Sequence, residues 1–298
     1  MHCGGCRRGI AASKPTLDMR VWLCGVRGSV PAPGAEFHRV GGNTSCVAIA
    51  HDGEVPTLVL DAGTGLRLVT SLLGEAPFRG TVLLGHLHWD HTGGLPFFGA
   101  GDRPDAVVHL LMPDHGVEPL ALLARVMAPP HFPIAPNELR GTWTFANVDE
   151  GRHDIEGFEV IAREIPHKGG RTFGYRITDR RGRSLAYMSD HGPDERGTGI
   201  EGLGEIHDAA VDLARDVDLL IHDAQHTADE TATRRLHGHS AAGYGALLAE
   251  RSGARRLMLF HHHPNRTDTA VAEIESDLAA SHPRLPIDAA TEGMVIDL

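Results

Sequence analysis

Four side chains able to ligate a metal fall within six residues of one another: His86, His88, Asp90 and His91, in the segment Leu83-Leu-Gly-His86-Leu-His88-Trp-Asp90-His91-Thr-Gly-Gly94. An apolar run, Thr81–Gly85, leads directly into them. Residues two apart on an extended chain project to the same side, so His86 and His88 are placed to chelate one ion. Asp90 and His91 follow where the chain turns and point towards a neighbouring position. Gly93-Gly94 lets that turn come close to other backbone. Imidazole and carboxylate are the donors that hold borderline divalent cations, zinc above all. The chain carries 21 histidines in all, several beside an aspartate, as in Asp114-His115 and His153-Asp154. For most of these, composition alone is a sufficient reading.

The elements that must position such a cluster are legible as short apolar runs bounded by turn residues. Strands are expected at Arg20–Val26, Ser45–Ala50, Thr57–Leu60, Thr81–Gly85 and Ala106–Met112, and again at Thr142–Ala146, Phe158–Ile165, Thr172–Thr178 and Ser184–Ser189. Further strands are expected at Leu219–His222, Arg256–Phe260 and Met294–Ile296. Helical periodicity marks Gly65–Leu73, Val117–Met127, Ala210–Arg215, Ser240–Arg251 and Thr269–Ala280. The run Ala128–Pro136 is too rich in proline for a regular element and reads as an ordered loop or lid, or as a plain connector. No linker or repeat divides the chain. Residues 1–18 read as a flexible tail and residues 19–298 as one domain of two sheets packed face to face, with helices outside.

Composition sets the outer limits. The 298 residues include 41% hydrophobic and 22% charged side chains, which excludes wholesale disorder. The net charge of −11 argues against an extended nucleic-acid-binding surface, while a local basic groove stays open. There is no membrane-spanning run and no secretory apolar stretch near the start, so the expected location is the cytoplasm. Cys3-Gly-Gly-Cys6 is a lone CxxC on the expected tail, without a second pair to complete a zinc site. Cys24 and Cys46 lie in apolar strand patterns and read as small core residues.

The pattern His86-x-His88-x-Asp90-His91 resembles the hallmark of the metallo-β-lactamase superfamily, and the likeness can be followed from about Arg20 to Leu298. The resemblance implies an α/β fold, an αββα four-layer sandwich of two mixed β-sheets with one or two metals at the sheet edges. It implies that Asp61, in Leu60-Asp-Ala-Gly-Thr-Gly65, supports the metal loop by hydrogen bonds, although capping the following helix is an alternative. It also implies that His86, His88 and His167 hold one metal, that Asp90, His91 and His261 hold the other, and that Asp190 spans both. In the triplet His261-His262-His263 the last ligand is assigned to His261, with His263 as its rival. Relatives that reduce dioxygen with two irons carry glutamate where this chain has His88, so zinc is expected, with manganese second.

Two divalent ions a few ångströms apart can hold a bridging hydroxide and clamp a displaced oxygen. Within the superfamily, Leu236-His-Gly238-His239-Ser240 resembles the Gly-His-Ser loop of the phosphodiesterase branch, and Leu219-Leu-Ile-His-Asp223 resembles the acidic segment that pairs with it. That likeness makes His239 a proton donor to the leaving oxygen or its stabiliser, oriented by Asp223, and Asp90 is counted with them as catalytic. A helix N-cap at Ser240 is the plainer alternative. Gly25-Val-Arg27-Gly28-Ser29 and Gly41-Gly-Asn43-Thr-Ser45 resemble segments of small cyclic-phosphate phosphodiesterases, which would bring Arg27 or Ser29 near a phosphate. tRNA-processing relatives carry a long basic arm between the third histidine and the bridging aspartate. Here only two strands and the turn Asp179-Arg-Arg-Gly-Arg183 separate His167 from Asp190. The expected function is thus a phosphodiesterase for a small cyclic nucleotide or cyclic phosphate ester. The alternatives are a tRNA 3′-processing endoribonuclease, a thioester or lactone hydrolase, and a non-catalytic scaffold. A small phosphate-ester substrate is the expected partner, no membrane is involved, and a homodimer is left open.

Overall fold

The computed structural model describes residues 19–193, 197–234 and 237–298, so the expected tail with Cys3 and Cys6 lies outside the described residues, as does Leu236. In chain order the first half contributes β1 (Met19–Gly25), β2 (Cys46–His51), β3 (Leu58–Leu60), α1 (Leu66–Leu72), β4 (Arg79–Leu83), the single turn α2 (Trp89–Thr92), β5 (Val107–Pro113), α3 (Pro119–Ala124) and β6 (Thr142–Val148). The second half contributes β7 (Gly151–Ile155), β8 (Phe158–Glu164), β9 (Phe173–Thr178), β10 (Ser184–Met188), α4 (Asp208–Ala214), β11 (Leu219–Asp223), α5 (Ala228–Arg234), α6 (Ala242–Ser252), β12 (Leu257–Phe260), α7 (Asp268–Ser281), β13 (Ile287–Ala289) and β14 (Val295–Asp297).

The strands form two mixed sheets of seven, in the orders β14-β1-β2-β3-β4-β5-β6 and β13-β12-β11-β10-β9-β8-β7. Each has an antiparallel half and a parallel half, the change falling at β3 in the first sheet and at β10 in the second. Parallel strands buried on both faces read as unbroken apolar runs, which is why β11 (LLIHD) and β12 (LMLF) show no alternation. β8, covered less completely, alternates buried and half-buried positions.

One apolar layer joins the facing surfaces: Val21, Ile49 and Leu60 from the first sheet meet Phe158, Tyr175 and Met258 from the second. On the outer faces α1 packs Leu66 and Val69 against Val59 and Val82, while α4 and α6 pack Leu213 and Leu248 against Leu220 and Leu257. The result is the four-layer α/β sandwich expected from the sequence. Polar ties also cross between the sheets. The His51 ring on β2 stacks on Phe158 with centroids 3.9 Å apart, and Thr81 Oγ1 donates to Glu156 Oε1 at 2.8 Å.

Besides the single turn α2, three elements were not expected, and each has a physical reason. β7 lies at a sheet edge and is rich in charge, as exposed edges tend to be, so its pattern is hidden. β13 has only three residues, and α5 opens on two acidic residues with little apolar periodicity. The expected helix over 117–127 shortens to α3, with Glu118 accepting the N–H of Ala121 at its start. The proline-rich run is a loop ending in a 3-10 turn at Pro136–Glu138, and its Phe132 packs edge-on against Phe97 at 5.9 Å. Cys24 and Cys46 are buried free thiols, as expected.

Parallel strands direct their carboxyl ends to one side. The segments after β4, β10, β11 and β12 therefore open on a common edge, the usual place for a site in an α/β sheet. Phe158 reports on the packing that holds the two edges together. Phe158→Ala should cost about 3–5 kcal/mol of stability, measured by urea unfolding, while the folded variant keeps its metal stoichiometry.

Candidate metal centre

The segment after β4 carries His86 and His88 in extended backbone and then closes into α2, so Asp90 and His91 occupy a helical turn rather than a simple bend. Gly94 allows this loop to lie against its neighbour: its N–H donates to Ala62 O at 2.8 Å, and a Cβ there would fall 2.0 Å from Gly63 O. Three other segments meet it at the sheet edge. Within one group, ligand atoms of His86, His88, His167 and Asp190 lie within 4.8 Å of one another. Within a second, the same holds for Asp90, His91, Asp190 and His261. Asp190 belongs to both.

Inside this cluster His261 Nε2 pairs with Asp90 Oδ2 at 3.1 Å and His167 Nε2 with His88 Nδ1 at 3.3 Å, but other close approaches share no hydrogen bond. Asp190 Oδ2 stands 2.9 Å from His91 Nε2, yet neither atom makes a hydrogen bond, and both ring nitrogens of buried His86 are likewise unpartnered. His86 Nε2 and His167 Nε2 face Asp190 Oδ1 at 3.8 and 3.6 Å. Lone pairs converging in a buried space with too few protons to pair them all are the donor set of a cation site. The residues present thus fit two divalent ions.

Charge distribution follows from burial opposed by neighbours. Burial alone would raise Asp190, but His261 and His91 outweigh it and hold the carboxyl well below the usual range. Burial likewise opposes ionisation of Asp90, and His91 and His261 overcome it, lowering that carboxyl too. Burial, reinforced by His91, keeps His86 well below 6.5, and burial also lowers His88 and His167. These imidazoles are neutral, the form that ligates.

Asp61 holds the centre from behind. Its backbone is left-handed (φ 60), and its side chain accepts from Gly85 N at 2.7 Å and Tyr187 Oη at 2.7 Å. His91 Nδ1 lies 2.7 Å from the same carboxylate. That contact assigns a proton to Nδ1 and directs Nε2 into the cluster. There the surrounding carboxylates Asp190, Asp61 and Asp90 outweigh burial and raise the imidazole, and a bound cation would take the place of the Nε2 proton. The capping alternative is overturned, because α1 has Gly65 at its N-cap.

Within the histidine triplet only His261 reaches the cluster. Its Nε2 is 3.1 Å from Asp90 Oδ2 and 3.2 Å from Asp190 Oδ2, and its backbone adopts φ 55, a costly conformation for a side-chain-bearing residue. His262 turns to Ala290 O at 3.0 Å, and His263 Nε2 meets the Arg234 guanidinium at 2.8 Å.

His239 stands beside the second group. Its Nδ1 lies 2.8 Å from Asp223 Oδ2, and it stacks on His261 with centroids 5.1 Å apart. The Gln225 and His191 N–H groups fix Asp223 at 2.9 and 3.3 Å. Burial disfavours charge on both partners, raising Asp223 and lowering His239. Ser240 is not an N-cap: α6 starts after Ala241, and Ser240 Oγ donates instead to His191 O.

Of the two residues expected near a phosphate, Arg27 is elsewhere. It is fully buried, donating from Nε to Gly41 O at 2.8 Å and from Nη1 to Arg266 O at 2.7 Å, so it ties loops together. Ser29 is at the site, its N–H donating to Asp90 Oδ2 at 2.6 Å. Gln225, which sequence reasoning passed over, bridges Ser29 Oγ and His261 Nδ1 at 3.2 Å each. Its only signal was its place two residues beyond Asp223. Ser29, His88, Trp89, Asp90, Asp190 and His239 line an open pocket of about 340 Å³ over the donors.

A family model described as a beta-lactamase superfamily domain matches residues 57–262, and the chain belongs to this family. Its fold and donor set are those of a metal-dependent hydrolase. A ribonuclease Z of Natronomonas pharaonis is 26% identical over 287 residues, spanning 82% of this chain and 87% of that protein. The metallo-beta-lactamase fold protein YhfI from Bacillus subtilis superposes with a TM-score of 0.69 at 18% identity, covering 94% of this chain and 100% of that one. A diphosphatase from the PhnP family superposes with a TM-score of 0.67 at 18% identity, covering 94% and 98%.

Asp190→Ala removes the carboxylate common to both groups. It should abolish bound metal, read by elemental analysis of protein purified from metal-replete medium, and turnover should fall with it. A second expectation concerns acid. Burial lowers His222 to about 4 and His262 to about 3 from the ordinary 6.5. The fold therefore binds fewer protons than the unfolded chain between these values, and the stability contributed above pH 6.5 is lost as pH falls towards 4. The urea midpoint of metal-free protein should drop across this window. A flat profile would contradict the assignment.

Proposed function

We propose that the chain is a phosphodiesterase with a two-cation centre, acting on a compact phosphate ester such as a cyclic nucleotide. The observation that carries this reading is the Asp223–His239 pair, 2.8 Å apart and beside the donor cluster. Hydrolysis of an acyl ester or thioester does not need it, whereas an alkoxide leaving a phosphate ester needs a proton.

In this reading His86, His88 and His167 hold one ion, Asp90, His91 and His261 the other, and Asp190 both. Zinc suits this histidine-rich set best, with manganese second. When bound, such a pair supplies Lewis acidity and acidifies water near neutral pH. The protein supplies the rest. Asp61 keeps His91 in the ligating tautomer, and Ser29 N–H holds the Asp90 carboxylate in place. Asp223 keeps a proton on His239 Nδ1, which leaves Nε2 to deliver its proton to the departing oxygen. Asp190 and Asp90 draw this imidazole towards the charged form, but burial outweighs them and lowers it.

A compact substrate is supported by how little lies between β9 and β10. Asp179 closes that connection by accepting the N–H groups of Arg181 and Arg183, each at 2.9 Å, so no arm extends from it. A second reading, RNA 3′-end processing, is favoured by the ribonuclease Z relative, which aligns along 82% of this chain.

Metal-loaded protein should hydrolyse bis(p-nitrophenyl) phosphate but neither a thioester nor a lactone. The reverse pattern would overturn the phosphodiesterase reading. His239→Ala should keep its metals and lose about 10²- to 10⁴-fold on an alkyl leaving group, with a far smaller loss on nitrophenolate. Faster cleavage of a tRNA precursor with a 3′ trailer than of any cyclic nucleotide would exchange the first reading for the second.

A further inference from the structure

Trp89 lies between His88 and Asp90 in the metal loop, yet its own side chain is 76% exposed. α2 explains the contrast: its other three residues, Asp90, His91 and Thr92, turn into the protein, so the indole is directed outward. On its far side the surface continues as an apolar groove of about 440 Å³, walled by Pro96, Phe97, Val126 and Phe132. Phe97 is 64% exposed and is braced edge-on by Phe132 from the proline-rich loop. A soluble protein rarely leaves an indole and a phenyl ring open side by side unless something covers them. The groove is of the size that small ligands fill.

Two features identify the occupant. First, Trp89 lines both this groove and the pocket over the metal donors, so a molecule bound at one is within reach of the other. Second, Arg125 lines the groove and also the adjoining cavity that runs past His115 and Arg171 to His86 and His88. Among the described residues the Arg125 guanidinium forms no ion pair, unlike Arg171, which is paired with Glu164 at 2.7 Å. An aromatic slot with a free cation at its rim, next to a centre that takes phosphate, matches a planar ring joined to an anion. An alkyl chain would use the apolar walls and leave the cation idle.

We infer that the Trp89–Phe97 groove is the subsite for the nucleobase of the substrate, with Arg125 at its rim facing the nucleotide's negative charge. The inference rests on the phosphodiesterase reading and narrows it to esters that carry a base. Stacking on Trp89 would then set specificity without touching the reacting atoms, and base–aromatic stacking is tolerant of which base is present.

The test measures binding, so it does not depend on turnover. Metal-loaded protein is titrated with AMP, ribose 5-phosphate and hexyl phosphate by calorimetry. AMP should bind about ten- to hundred-fold more tightly than ribose 5-phosphate, and Phe97→Ala and Trp89→Ala should each remove most of that difference. Phe97 lines the groove but not the pocket over the donors, so its variant separates loss of the subsite from damage to the metal loop, and metal content is checked for both. Equal binding of AMP and ribose 5-phosphate, tighter binding of hexyl phosphate, or variants that preserve the preference would each overturn the subsite. So would a dimer that Phe97→Ala dissolves, since a second copy would then be the occupant. If wild type binds AMP in this Trp89-dependent way but hydrolyses no diester, the subsite stands and the phosphodiesterase reading falls.

Discussion

Two carboxylates and five imidazoles are gathered in one buried cleft, and their approach is too close and too poor in shared protons to be stable on its own. Asp190 is central to this arrangement. It is buried, it faces donors from both groups, and its Oδ2 makes no hydrogen bond although His91 Nε2 is 2.9 Å away. Removing such groups from water costs several kcal/mol per charge unless opposite charge is supplied at close range. Divalent cations would supply it, and the geometry fits them.

Holding these donors in place is the work of the two sheets. The loop carrying His86, His88, Asp90 and His91 follows β4 of the first sheet, and Asp190 and His261 follow β10 and β12 of the second. Asp61, just beyond β3, then accepts the hydroxyl of Tyr187 on β10, so a single carboxylate registers one sheet against the other and orients His91 as well. Arg27 performs a comparable task on the other flank by collecting carbonyls from the loops after β1 and β12. Positive backbone angles at Asp61 and His261 show where the chain is strained to satisfy these requirements.

Much of this was legible beforehand because the relevant residues obey local rules. Buried parallel strands announce themselves as apolar runs, and the donors sit where those runs end. The two-sheet fold with outer helices could be read in this way, and so could the cluster His86, His88, Asp90 and His91, whereas His167, Asp190 and His261 were picked out only by the family resemblance. What stayed hidden depends on contacts distant in sequence. Nothing adjacent to Arg27 indicates that its guanidinium faces inward, and the choice of His261 over His263 follows from a left-handed residue that folds one ring in while Arg234 draws the other away. Edge strand β7 was missed because charged side chains mask its alternation. The groove beside Trp89 was missed because its walls, from α2 and from the proline-rich loop, meet only in three dimensions.

That the donors come from both sheets has a consequence for the chain as a polymer. A cation held by Asp90, His91 and His261 would staple together segments far apart in the sequence, much as a disulfide does in a secreted domain, and would restrict the unfolded ensemble in the same way for as long as it stayed bound. Two free buried thiols, Cys24 and Cys46, show that sulfur bridging is not used for this purpose among the described residues. Chelation would then act on this molecule as reduction acts on an oxidised one, by cutting a crosslink.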